Sequence, residues 1–335
     1  MSAERTVHLP VAAQPSVETL VDLTQQAEEL GYERAWLPET WGRDAVTSLT
    51  AMALGTEEIG LGPSILNVYS RSPALIGQTA ATLQEVSDGR MRIGLGPSGP
   101  VVIQGWHGAE FDRPLRRTRE TIDIVKNVLS GETVNYDGDC FTLAGFRLRC
   151  DAPETPPAID AAGMGPKSVE LAGRFADGWH ATVFTPDGMR DRLEDLRRGV
   201  ELGNRDADDV RVTLSLTCCA LEDGERARKL ARQHSAFYVG GMGTYYRDSL
   251  ARQGYEELAN DISSAWGSGD KERATELVGD ELLDDLCAAG TPERAREEFQ
   301  KFAEIEGVDA VAVGFPRGAT VEDARETMTA LAPNE

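Results

Sequence analysis

Glu39-Thr40-Trp41 follows a short apolar run and groups a carboxyl that can move a proton, a hydroxyl and an indole that can stack. Glu39 and Thr40 are therefore the candidate catalytic pair, against the plainer reading of a solvated glutamate beside a packing tryptophan. A second stretch, Gly163-Met164-Gly165-Pro166-Lys167-Ser168, sets two glycines before a proline suited to a first helical turn. Amides from Gly165 to Ser168 would then face an anion, with Lys167 adding charge. A tight strand-to-helix turn alone would also call for that glycine and proline. Only five of the 34 basic residues are lysine, so a cation at this spot weighs toward an anion site.

Gly-Leu-Gly-Pro-Ser occurs twice, at 60–64 and 94–98, each time closing a short apolar run. Pro63-Ser64-Ile65 reads either as a simple turn or as a bulge pressed against a planar ligand. Gly94 to Gly99 also fits G-x-G-x-x-G, but Pro97 and Pro100 interrupt it and Val101–Trp106 lacks a clean helical start, which argues against a dinucleotide fold. His107 lies in the loop that follows, His180 inside an apolar run, and His8 in the first predicted strand, where it could face an interior. There is no G-x-S-x-G and no P-loop, so acyl transfer and nucleotide hydrolysis fall away.

These groups need a scaffold that brings loop ends together. Strands are expected at Thr6–Ala13, Arg34–Leu37, Ile59–Leu61, Met91–Leu95, Ala158–Ala161, Gly178–Thr182, Val210–Leu221 and Val308–Val313. Helices alternate with them: one capped by Ser16, then Ala45–Leu54, one from Ser72 to Asp88-Gly89, Leu115–Leu129, Pro166–Phe175, Met189–Leu202, one opened by Thr291-Pro292-Glu293, and Thr320–Leu331. Glu132–Thr142 alternates around Asp137-Gly138 as a hairpin. Residues 225–286 form a mostly helical excursion whose Gly240-Gly241-Met242-Gly243 hinge and Tyr245-Tyr246 pair suggest a lid or subunit contact. Eight strands alternating with helices give an α/β fold: one (β/α)8 TIM barrel over 1–335, with the helical insertion between its seventh and eighth strands.

Composition narrows the partners. At 41% hydrophobic residues the chain can fill a large core, and a net charge of −22 repels nucleic acid. A lysine-poor acidic surface suits a salt-filled cytoplasm, pointing to a halophile. Five cysteines without C-x-x-C spacing and four histidines leave no zinc site or paired disulfide framework. No charged leader or uncharged stretch of about 18 residues appears, so a soluble, cytoplasmic protein without a membrane partner is expected.

Together with Gly31 to Trp36, Leu61 through Arg71-Ser72-Pro73 to Arg90, Asp177-Gly178 and Thr217-Cys218-Cys219, these motifs resemble the luciferase-like superfamily of flavin- and deazaflavin-dependent barrels. Within it they are most similar to the coenzyme F420-dependent 5,10-methylenetetrahydromethanopterin reductases. The resemblance implies a non-prolyl cis peptide at Ser64-Ile65, with Pro63, Ser64 and Ile65 backing the deazaflavin ring. It implies that Gly96, Pro97 and Ser98 line the ring, that Gly163, Met164, Gly165, Lys167 and Ser168 hold the tail phosphate, and that Thr182 adds a hydroxyl. The chemistry implied is hydride transfer between coenzyme F420 and a small organic substrate, such as a methylene-tetrahydropterin or methylene-tetrahydrofolate, in a homo-oligomer. Pro10 stands where the reductases carry a glutamate, and Glu39 could substitute as the acid. Two other readings stay open: an FMN-dependent monooxygenase, and a non-catalytic barrel that binds a flavin-type cofactor.

Overall fold

The computed structural model describes residues 3–10 and 15–333, and its strands run β1 (Glu4–His8), β2 (Arg34–Leu37), β3 (Gly60–Pro63), β4 (Leu66–Asn67), β5 (Arg92–Gly96), β6 (Val134–Asp137), β7 (Thr142–Phe146), β8 (Ala158–Ala162), β9 (Gly178–Thr182), β10 (Arg211–Ala220), β11 (Cys287–Gly290) and β12 (Ala310–Gly314). The parallel order β3-β2-β1-β12-β10-β9-β8-β5-β4 returns to its start, because β4 continues the chain of β3. The result is a (β/α)8 TIM barrel in which β3 and β4 together supply one stave.

Helices α1 (Val17–Glu29), α2 (Ala45–Leu54), α3 (Pro73–Val86), α4 (Pro100–Gly105), α5 (Pro114–Leu129), α6 (Pro166–Phe175), α7 (Pro186–Leu202), α8 (Gly224–Gly241), α9 (Thr244–Leu250), α10 (Glu256–Gly267), α11 (Lys271–Leu277), α12 (Asp280–Leu286), α13 (Pro292–Ala303) and α14 (Val321–Ala330) complete the order. Their starts follow local chemistry. Ser16, Ser72, Thr291 and Thr320 each accept a backbone amide three residues on, which satisfies a donor the helix leaves orphaned.

Four expectations need adjustment. The first strand ends at His8, and Val11–Ala13 of its expected span lie outside the described residues. A short helix does follow the second Gly-Leu-Gly-Pro-Ser: α4 starts at Pro100, whose missing amide costs nothing at a first turn. The hairpin's second strand begins where its expected span ended, at Thr142, so the turn is wider than Asp137-Gly138. A short strand, β11, closes the helical insertion and pairs with the far half of β10.

Two apolar clusters hold the molecule. The larger lies between the staves and the outer helices, from Val7, Leu37, Ile93 and Trp179 to Val313. The smaller lies inside the insertion, around Ala231, Ile262 and Leu283, and reaches β10 through Cys219. Trp36, though 1% exposed, belongs to neither. It points the other way along the two-residue alternation, into the barrel interior, with Thr6, His8, Asp160, His180 and Thr213. A barrel of this kind fills its interior mostly with branched apolar side chains; here polar groups take much of that space.

Candidate active site

The two copies of Gly-Leu-Gly-Pro-Ser interlock. β3 bridges β5 at Leu61↔Met91 and β4 pairs it at Leu66↔Leu95, so five steps on one strand oppose four on the other. One extra residue is a β-bulge, a device that re-aims side chains at the rims of barrels. It falls on Pro63-Ser64-Ile65, and the Ser64-Ile65 peptide is cis. Room for it comes from the second copy: a Cβ on Gly94 would lie 2.5 Å from the Pro63 carbonyl oxygen, and one on Gly96 3.4 Å from Ile65 Cγ1. The Gly-Leu-Gly of β5 is thus the recess that the bulge occupies.

From Ser64 a polar chain crosses the interior. Its hydroxyl lies 3.0 Å from His180 Nδ1, although β3 and β9 are not neighbouring strands. His180 Nε2 lies 3.0 Å from Asp160 Oδ2, and Arg92 closes on that carboxylate from β5, Nε to Oδ2 at 2.7 Å. Burial pushes the Asp160 carboxyl up, but the His180 hydrogen bond and the Arg92 charge outweigh it and hold it below the usual range. On the opposite side His8 Nε2 faces the Ser64 carbonyl at 3.3 Å and Nδ1 faces Ser215 Oγ at 3.1 Å. A carbonyl only accepts, so His8 carries its proton on Nε2 and Nδ1 accepts from Ser215. Burial, then the charge of His180, lowers the pKa of His8 to about 4.

Glu39 and Thr40 line a cavity of about 250 Å³ at the C-terminal rim, with Ser70, Arg71, Trp106 and His107. Glu39 is buried, at 8% exposure. Its oxygens take Arg71 Nη1 at 2.5 Å, Arg71 Nη2 at 2.8 Å and the Ala45 amide at 3.0 Å, so it anchors the start of α2 as well. The hydrogen bond to Glu39 raises the pKa of Arg71. Asn67 Oδ1 accepts the amides of Tyr69 and Ser70, which leaves its NH2 group facing His107 Nε2 at 3.4 Å.

The remaining candidates continue around the same rim. Gly96 ends β5 and Pro97 and Ser98 follow it, with Ser98 in the left-handed region at φ 57°. Next comes the β8 loop, where Trp179 Nε1 donates to the Gly163 carbonyl at 2.9 Å and Met164 packs on the core. Gly165 N–H donates to Ser168 Oγ at 3.1 Å, and Ser168 Oγ returns a bond to the Gly165 carbonyl at 2.8 Å. Part of the expected amide cradle is therefore spent within the loop itself. The Lys167 side chain is 73% exposed and holds Glu170 at 2.8 Å. Thr182 ends β9 beside Val183, a β-branched residue at φ 57°, which is an uncommon backbone state. Gln253, between α9 and α10, braces it by donating to the Val183 carbonyl at 3.1 Å and accepting the Thr185 amide at 2.8 Å.

Sequence reasoning thus names residues at the ends of five consecutive staves: β2, β3, β5, β8 and β9. It misses the roles of Asp160, Arg92, Arg71 and Gln253, and it places His180 inside an apolar run without a role. A carboxylate and an imidazole inside otherwise apolar strands were the available signal.

These residues suit a planar ring with an anionic tail. The bulge and the small residues of β5 offer a flat approach, and at the start of α6, where Pro166 has no N–H and the Gly165 and Ser168 amides bond within the loop, the Lys167 amide and exposed ammonium offer donors to an anion.

The profile described as luciferase-like monooxygenase matches residues 3–309. A protein of Mycobacterium tuberculosis named for coenzyme F420-dependent oxidoreductase activity is 30% identical over 93% of this chain and 94% of its own. The 5,10-methylenetetrahydromethanopterin reductase of Methanolobus tindarius is also 30% identical, over 89% of this chain and 90% of its own. The solved coenzyme F420-dependent tetrahydromethanopterin reductase from Methanopyrus kandleri superposes with a TM-score of 0.82 at 24% identity, covering 98% of both chains, and so shares the fold.

Proposed function

The chain belongs to the luciferase-like monooxygenase family, and from that premise we propose that it is a coenzyme F420-dependent oxidoreductase. It transfers a hydride between the deazaflavin and a small organic substrate. The observation that carries this reading is near-full-length similarity at 30% identity to two relatives, one named for coenzyme F420-dependent oxidoreductase activity and the other as a 5,10-methylenetetrahydromethanopterin reductase. Deazaflavin, when bound, supplies the hydride chemistry.

The protein's own part is placement. Pro63, Ser64 and Ile65 back the ring, Gly96, Pro97 and Ser98 flank it, and the β8 loop from Gly163 to Ser168 holds the tail with Lys167 adding charge. Thr182 adds a hydroxyl at the neighbouring stave. Orientation of this kind turns an encounter into an effectively intramolecular reaction. The substrate sits in the rim cavity between Thr40 and His107. That lining holds Arg71 on Glu39, while Arg43 donates to the Pro15 carbonyl and Asp44 accepts the Thr47 amide, so its two guanidiniums and two carboxylates are engaged and favour a polar, uncharged heterocycle over a phosphorylated substrate. The pterin head of a methylene-tetrahydropterin or methylene-tetrahydrofolate has that chemistry.

Titrating the purified protein with oxidised coenzyme F420 and, separately, with FMN at high salt tests the reading. Quenching of F420 fluorescence at micromolar concentration supports it. Binding of FMN alone, with oxygen consumption, replaces it with the monooxygenase reading. Binding of neither overturns both.

A further inference from the structure

His180 is poised to decide what Ser64 can offer at the bulge. Its Nε2 faces a carboxylate that accepts only, and that carboxylate is held ionised by Arg92, so Nε2 carries a proton. All remaining freedom lies at Nδ1, 3.0 Å from Ser64 Oγ. When the ring is neutral, Nδ1 is a bare acceptor and consumes the Ser64 proton, leaving the hydroxyl with lone pairs alone. When the ring is an imidazolium, Nδ1–H donates to Ser64 Oγ, and the hydroxyl proton is released to point elsewhere. The Ser64 backbone cannot swing away, because Leu37 O holds its amide at 2.9 Å and His8 holds its carbonyl.

Other groups around the ring do not blur this choice. Trp36 of β2 meets it edge-on with centroids 4.4 Å apart, and Thr213 of β10 is its register partner. His8 of β1 faces the carbonyl side of Ser64 and stays neutral in the ordinary pH range. Arg92 of β5 and, behind Trp36, Arg34 of β2 are cations, and the carboxylate of Asp160 on β8 lies between Arg92 and His180.

We propose that Ser64, His180 and Asp160 form a proton-set donor at the bulge, with His180 and Asp160 as positioning residues and Ser64 as the group that meets the cofactor. This rests on the deazaflavin reading above. The pyrimidine rim of such a ring carries carbonyl acceptors, so the form of the site that donates from Ser64 is the one that binds. Binding then takes one proton from solvent: a new N–H bond forms on the Nδ1 lone pair, Ser64 turns its O–H to the ring, and nothing is oxidised or reduced.

Calorimetric titration with oxidised coenzyme F420 in buffers of different ionisation enthalpy reads that proton directly. Between pH 7 and 9 the wild-type protein is expected to take up approaching one more proton per cofactor than Ser64→Ala or His180→Gln. Its affinity should fall by up to about tenfold per pH unit while theirs follows only the ligand's own titration. Equal proton uptake in wild type and both variants overturns the proposal while leaving the cofactor reading intact. Should no form of the protein bind F420, the cofactor reading fails instead, and nitrogen chemical shifts of the His180 ring decide the remainder. Nε2–H with a bare Nδ1 at high pH, and a ring harder to protonate in Asp160→Asn, support the triad; the opposite tautomer or an Asp160-independent titration overturns it. A matched melting temperature for Ser64→Ala excludes unfolding as the cause.

Discussion

The carbonyl oxygen of Pro63 comes within 2.5 Å of where a Cβ of residue 94 would be, so the first Gly-Leu-Gly-Pro-Ser is seated in the second. The obstructing atom belongs to the backbone and has no rotamer to retreat into. Gly94→Ala is therefore expected to displace the bulge and to cost roughly 1–3 kcal/mol, as overpacking does. Urea unfolding should show the loss. F420 titration should show weaker binding than a control such as Gly105→Ala, whose added Cβ meets nothing within 4 Å. Equal affinities would mean that the seat is not needed for the cofactor.

Arg71 and Glu39 form a largely buried pair at the rim, with side-chain exposures of 20% and 7%. Removing one partner of such a pair costs about 3–5 kcal/mol, because the other charge is left buried and alone. Arg71→Leu should therefore lower the denaturation midpoint more than Glu39→Gln, which keeps an acceptor for the Ala45 amide. In turnover the order reverses if Glu39 supplies the proton: Glu39→Gln then slows the rate without weakening F420 binding. An unaffected rate would leave Glu39 as a structural anchor.

Lys167 is exposed and already holds Glu170, so its contribution to an anionic tail is modest. Lys167→Glu is expected to weaken F420 about tenfold or less at low salt, an effect that shrinks as salt rises. Glu170→Gln frees the ammonium and should strengthen binding under the same conditions. An affinity unmoved by either substitution would refute the assignment of the tail to this loop.

Acid sensitivity should come partly from two histidines. Burial first, then the charge of His180, lowers His8 to about 4, and burial, then the charge of Arg317, does the same for His234. An unfolded histidine titrates near 6.5, so between there and about 4 the unfolded chain binds more protons than the folded one. Stability contributed by the neutral rings is complete above that window and is lost as pH falls through it, on the order of 1–2 kcal/mol each by pH 5. Urea midpoints at pH 7.5 and pH 5 should differ, and His234→Gln should narrow the difference. A His234→Gln protein with the full wild-type drop would contradict this.

The architecture was legible because strand ends and helix starts announce themselves locally. Ser72-Pro73, Thr291-Pro292 and the glycines after each apolar run carry their conformations with them. The rim residues were legible for a related reason, since loops at the ends of parallel staves converge whatever their sequence. What escaped were relations across the interior. Nothing near Asp160 in the chain says that it faces His180 and Arg92, and nothing near Gln253 shows that it braces Val183. Nothing around Arg71 points to Glu39, which lies 32 residues away.

The extra residue at 63–65 also fixes where the cylinder is joined. Between Leu61↔Met91 and Leu66↔Leu95 the ladder is interrupted, so the seam between the third and fourth staves is a broken one. Amides there should exchange with solvent before those of the continuous β1–β12 ladder, whose five registered pairs run unbroken. The cofactor would lie along that seam as a splint, and its arrival would be felt as much in the closure of the barrel as in the chemistry at its mouth.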